Sequence, residues 1–128
     1  IDHLIFIDLV PLIELVEVFK HAHFTVFPEG TSLSALEAAS CGSVVIMADH
    51  SASISRSKNG VGVVYKRGDI ADLTRTIKYL LDNKDVYYQI QLTSKRSIIN
   101  NYSYSKISKK FIDLCEKSIQ DFNQKHEA

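Results

Sequence analysis

Two carboxylates eight positions apart, Glu29 and Glu37, are the residues best placed to do chemistry in this chain. Glu29 follows a short apolar run, Phe24-Thr25-Val26-Phe27, and Pro28; Glu37 sits in a small-residue segment that Gly42 closes before a second apolar run, Val44-Val45-Ile46-Met47. An ionised carboxylate only accepts hydrogen bonds, so it suits hydroxyl groups and repels phosphate. Between the two acids the chemistry reverses. Gly30 allows close approach to the backbone, and the N–H groups of Thr31, Ser32 and Leu33 would stand open at a helix start, an ordinary place for an anion.

On one continuous helix the two acids would lie ~80° apart and share no face. With Glu29 at a strand end and Glu37 a turn into the next helix, both can point into the crevice above the carboxyl ends of parallel strands. Open α/β sheets bind ligands there. Hydroxyl acceptors at both ends with a phosphate site between them describe a pocket for a nucleotide sugar. Each acid also has a plainer reading. Ser34-Ala35-Leu36-Glu37 matches the S-x-x-E capping box, in which the Glu reaches back to the N-cap amide. Glu29 could simply be solvated.

The elements that would hold this corner follow from periodicity. Leu4-Ile5-Phe6-Ile7 reads as a short buried strand. Pro11 opens a helix that buries Leu12, Leu15, Val16 and Phe19. Phe24 to Phe27 is a second strand, about Ser32 to Ser40 a short helix with Gly42 as its stop, and Ser43 to Ala48 a third strand. Asp49 to Asn59 reads as a loop with at most one helical turn, and Gly60 to Tyr65 as a fourth strand. Asp69 caps a helix with Ile70, Leu73, Ile77, Leu80 and Leu81 on its buried stripe. Further helices run from about Lys84 to Ile99 and from about Ser105 to Gln124. The last buries Ile107, Phe111, Leu114, Cys115 and Ile119, and its polar end frays after Phe122. Alternating strands and helices predict an α/β fold, a Rossmann-like parallel sheet with flanking helices. Residues 1–103 form the sheet domain, and 104–128 a terminal helix packing on it. Four short strands make a small sheet, which points to missing material at the N-terminus.

Bulk properties narrow the function. The chain has 128 residues, 45% apolar and 23% charged, with a formal net charge of zero. That suffices for one core and lacks the basic surplus of a nucleic-acid binder. Two distant cysteines, Cys41 and Cys115, make no disulfide framework and suit a reducing compartment. No apolar run reaches the ~20 residues of a membrane span, and no signal peptide is visible. The expected location is therefore cytoplasmic, with peripheral attachment at the inner face of a membrane also open.

The order Pro28, Glu29-Gly30, Leu33, Leu36-Glu37-Ala38, Cys41-Gly42, Val44-Val45, followed by the turn Asn59-Gly60-Val61-Gly62, resembles the C-terminal, donor-binding domain of GT-B fold glycosyltransferases of the family 4, or glycosyl transferases group 1, type. Its E-x7-E motif sits within a pattern like P-S-x-x-E-G-F-G-L-x-x-L-E-A-M-A-C-G-x-P-V-V. The likeness runs from about Ile5 to Leu81. It implies that Glu29 contacts the donor sugar and is the catalytic residue, that Glu37 holds the ribose hydroxyls, and that Gly30, Thr31, Ser32 and Leu33 surround the diphosphate. It also implies a retaining transfer to an acceptor held by a separate N-terminal domain. No cofactor or metal is implied beyond the nucleotide-diphosphate sugar as substrate, and the chain has no Asp-x-Asp motif.

Departures from the pattern set the alternatives. Thr31-Ser32 stands where Phe-Gly is common, and Ser51-Ala52-Ser53-Ile54-Ser55 where the family has G-G-x-P-E. With no acceptor domain in the chain, the expectation is a donor-binding part that is inactive alone. The alternative is a catalytically degenerate α/β module used for assembly or dimerisation; another sugar-phosphate enzyme of the same architecture, such as an epimerase, is a third reading. His21 and His23 lack the company a zinc site needs. Asp49 and His50 end the third strand, either as loop polarity or as a donor contact. Cys41 reads as a small apolar packing residue. Asn101-Tyr102-Ser103 fits a glycosylation sequon, and Lys106, Lys109 and Lys110 read as a solvated helix face.

Overall fold

The apolar run after Ser43 becomes the central strand of a three-stranded parallel sheet in the computed structural model, which describes residues 3–29 and 32–127. Gly30 and Thr31 lie outside the described residues. In chain order the elements are α1 (Leu12–His21), β1 (Phe24–Phe27), α2 (Leu33–Cys41), β2 (Val44–Ala48), α3 (Ser51–Lys58), β3 (Val63–Tyr65), α4 (Ile70–Asp82) and α5 (Lys84–Ser97). A π-helical turn (Ile98–Tyr102) and α6 (Tyr104–His126) follow. The sheet order is β1-β2-β3, with Phe24 opposite Val44 and Ile46 opposite Val63.

Period-two alternation along β2 builds two cores, one on each face. Val45 and Met47 join Phe19, Ala35, Ala38, Ala39 and Val61 under α1 and α2. Val44, Ile46 and Ala48 join Tyr65 and Leu80 under α4 and α5. All five β2 residues are sealed from solvent, as a strand covered by helices on both faces must be. Three alanines form the inner side of α2, all essentially inaccessible, so that helix lies close on the sheet. At the amino end of β1, α5 docks through Tyr87. Its hydroxyl donates to the His23 carbonyl at 3.1 Å, and its ring meets Phe24 edge-on at 5.4 Å. Burial, with a smaller contribution from neighbouring Tyr88, pushes the Tyr87 phenol pKa up. Cys41 packs against the first core, as expected of a small apolar side chain.

Several expectations fail, each for a physical reason. Leu4-Ile5-Phe6-Ile7 is not a strand; these residues are exposed, Phe6 at 89%, because nothing in the described structure covers them. The sheet accordingly has three strands rather than four. Residues 51–58 form a helix, not a loop. The run holds no Gly or Pro to break it, extended His50 starts it, and Asn59-Gly60 ends it. β3 begins at Val63, not Gly60, because Gly60 and Gly62 both take positive φ in the preceding turn. On α4 only Leu80 is fully buried, with Leu73 and Ile77 packed beside it; Ile70 and Leu81 face solvent. The helix from Lys84 gives way to the π turn at Ile98. The last helix runs on past Phe122 to His126, and it buries nothing: Ile107, Phe111, Leu114, Cys115 and Ile119 are all exposed.

Candidate functional site

Parallel strands bring their carboxyl ends to one edge, so Pro28-Glu29, Asp49-His50 and Lys66-Arg67 gather there from β1, β2 and β3. Backbone and side-chain bonds lock the last two ends together. The Asp49 amide donates to the Tyr65 carbonyl at 3.0 Å, and the Arg67 amide donates to Asp49 Oδ1 at 2.8 Å. Asp49 is thus a structural clamp between β2 and β3. A cleft of ≈ 660 Å³ opens beside it, lined by Pro28, Glu29, Tyr65, Arg67, Gly68, Asp69, Ile70 and Leu73. Glu29 is exposed on its β1 wall. Asp69 on the far wall is engaged as the cap of α4, accepting from the Asp72 amide at 2.9 Å.

The helix start beside Glu29 is well defined. Ser32 is the N-cap of α2, extended at φ −108°, with its hydroxyl accepting the Ser34 amide at 3.1 Å. Gly42, at φ +101°, terminates the helix in the left-handed region that glycine adopts without strain. This register decides one open question. A capping box needs its Glu at the third helical position. Counting from Ser32, that position is Ala35, and Glu37 lies two residues further on. Glu37 therefore does not cap α2. It is half-buried and makes no hydrogen bond through its carboxylate among the described residues. It is also not among the residues lining the cleft that holds Glu29.

The structure adds Arg56, which sequence reasoning missed. Its guanidinium donates to the Ser32 carbonyl at 2.7 Å, tying α3 to the start of α2. A charged donor makes this a strong bond, and it fixes the backbone where the open amides begin. The signal for it was hidden because residues 51–58 read as a loop, in which Arg56 has no defined direction. Neither histidine near the end of α1 gathers a metal set: His21 Nδ1 lies 2.7 Å from the Glu17 carbonyl. Among the described residues no cluster of three or more His, Cys, Asp and Glu could hold a metal ion. Among the same residues, no helix is long and apolar enough to cross a membrane.

Comparison with known proteins places this geometry. The chain is similar in structure to the sucrose-phosphate synthase of Thermosynechococcus elongatus, with a TM-score of 0.80 at 18% identity. The match covers 94% of this chain and 31% of that one, so this chain spans under a third of the other protein's length. At that identity the likeness establishes the fold: a Rossmann-like α/β domain of the GT-B glycosyltransferase type. No curated protein matches the sequence significantly. The family model described as glycosyl transferases group 1 matches residues 1–106, most of the chain, and the protein belongs to that family.

Proposed function

We propose that the corner between β1 and α2 binds the nucleotide-diphosphate sugar donor of a retaining, metal-independent hexosyl transfer, working with a companion domain that holds the acceptor. The observation that carries this is the register of α2. Ser32 is the cap, so Glu37 is left uncommitted one and a half turns into the helix. In this reading Glu37 accepts hydrogen bonds from the ribose hydroxyls. Glu29, exposed at the strand end, accepts from the donor sugar and is the catalytic carboxylate. Gly30, Thr31, Ser32 and Leu33 surround the diphosphate. The cap takes the Ser34 amide and the Ser32 carbonyl takes that of Ala35, which leaves the Leu33 amide, at the positive end of the helix, with no partner among the described residues. Arg56 holds this backbone in place through Ser32. Two free cysteines are compatible with a cytoplasmic setting.

The test is calorimetric titration of the full-length polypeptide with UDP-, GDP- and ADP-sugars, repeated on Glu37→Gln. Bonds to a charged acceptor contribute about 1.5–3 kcal/mol, so the amide should weaken binding roughly 10- to 150-fold. Absence of binding to any of these nucleotides, or an unchanged affinity in the variant, sinks the proposal. One observation favours a second reading: α3 stands where the family has its glycine-rich loop, as expected of a degenerate module that keeps the fold without the donor. Absence of nucleotide binding would select it.

A further inference from the structure

The turn from β3 into α4 is pinned through its backbone, and one cation is left over. The Arg67 amide donates to Asp49 Oδ1 at 2.8 Å, the Lys66 amide to Asp72 Oδ2 at 2.6 Å, and the Asp69 amide to the Lys66 carbonyl at 3.0 Å. These bonds fix where the Arg67 side chain leaves the chain, on the wall of the ≈ 660 Å³ cleft that Glu29 also lines. A cleft of that size is ordinary for a small-molecule site. Beside Arg67 the wall is open, since a Cβ on Gly68 would meet nothing within 4 Å. Arg67 is the only cation among the described residues that line the cleft, and its guanidinium has no hydrogen-bond or ion-pair partner among the described residues. The acids around it are engaged elsewhere. Asp69 caps α4, Asp72 holds the Lys66 amide and Arg75, and Asp49 takes the Arg67 amide.

We propose that Arg67 reads an anionic substituent, a carboxylate or a phosphate, on a sugar that this cleft holds against Glu29. The inference rests on the donor-site reading above and names the class of sugar that the site takes. A neutral hexose offers nothing that calls for a full positive charge, and Glu29 already serves its hydroxyls. A guanidinium presents a planar fork of donors that fits a carboxylate or a phosphate two bonds at a time. The diphosphate of the donor is a different anion. Its proposed place is the start of α2, and neither Ser32 nor Leu33 lines this cleft. Pro28, Ile70 and Leu73 give the cleft an apolar wall for the C–H face of a ring. Without Arg67 an anionic sugar would meet only the like charges of Glu29 and Asp69, so Arg67 decides whether such a sugar is admitted.

Paired calorimetric titrations of the full-length polypeptide test this, because a ratio of affinities cancels any general loss of binding. One arm compares UDP-glucose with UDP-glucuronate, GDP-mannose with GDP-mannuronate, and ADP-glucose with ADP-glucuronate, in wild type and Arg67→Gln. The other compares glucose with glucose 6-phosphate on protein saturated with the matching nucleoside diphosphate. If the anion belongs to the donor, the first arm shows the anionic sugar bound about tenfold more tightly or better; if it belongs to the acceptor, the second arm does. In either case Arg67→Gln brings the ratio to one or below. A wild-type ratio of one or less in both arms overturns the inference, and so does a preference that Arg67→Gln leaves intact. The wild-type ratios decide alone if the variant does not fold. Nucleotide binding without an anion preference removes the role of Arg67 and leaves the donor site. Absence of nucleotide binding removes the donor site and the inference with it.

Discussion

Gly62 and Gly68 form a natural experiment within one chain. Both have positive φ, +64° and +75°, and both precede or follow the short strand β3. An alanine at either pays the same left-handed strain of roughly 1–2 kcal/mol. They differ in their surroundings. A Cβ on Gly68 would meet nothing within 4 Å. A Cβ on Gly62 would collide with the Val45 carbonyl oxygen and lie 3.2 Å from both the Val45 carbonyl carbon and Cβ. Val45 belongs to the fully buried central strand and cannot retreat. The turn must then lift off β2, with an overpacking cost of about 1–3 kcal/mol and a threat to the Gly62 amide's 3.1 Å bond to Ser94 Oγ, worth about 1 kcal/mol. Gly62→Ala should therefore lose about 3–6 kcal/mol and Gly68→Ala about 1–2. Urea unfolding with an unchanged slope is the primary assay. With unfolding entropy near 2.1 cal/mol/K per residue, 1 kcal/mol corresponds to roughly 4 °C in Tm, so the two variants should melt about 10 °C apart. Equal losses within about 0.5 kcal/mol would refute the close approach of this turn to β2.

Other perturbations read other parts of the structure. The Ser53 hydroxyl is buried on α3 with no hydrogen-bond partner among the described residues, so Ser53→Ala should be neutral or stabilise by up to about 1 kcal/mol in urea unfolding; a loss of that size would mean the hydroxyl is bonded. Ser32→Ala removes the α2 cap and should cost about 1 kcal/mol by the same measurement, whereas an unchanged midpoint would refute the capping register. The raised Tyr87 phenol should appear as a tyrosinate absorbance step above the ordinary tyrosine range that Tyr87→Phe abolishes. Because the folded chain holds that proton to higher pH than the unfolded chain, its contribution to stability is complete below about pH 10 and fades as pH rises through the folded value.

The corner was legible because several local signals agree there. Apolar runs bracket it, Gly42 stops the helix, and the spacing of the acids excludes a single helix. The α2 boundary still fell within a residue of the observed one, yet that small difference decides whether Glu37 caps or stays free. Local pattern allowed Ser34 as the cap; the bond from the Ser34 amide to Ser32 Oγ chose otherwise. α3 was hidden because Ser-Ala-Ser-Ile-Ser has no apolar period, and its inner contact is a serine, Ser53. Leu4–Ile7 and the α6 stripe failed for a shared reason: apolar spacing states what a segment needs to bury and says nothing of where the cover comes from.

The alanine face of α2 has a consequence for how this protein can change. Ala35, Ala38 and Ala39 leave no clearance between helix and sheet, so any larger side chain there would displace the helix that begins at the candidate corner. Those three methyl groups set the height of that corner like a gauge block. Change at this corner is therefore confined to residues at the rim, such as exposed Leu33 and half-buried Glu37, which can be exchanged without moving the platform beneath them.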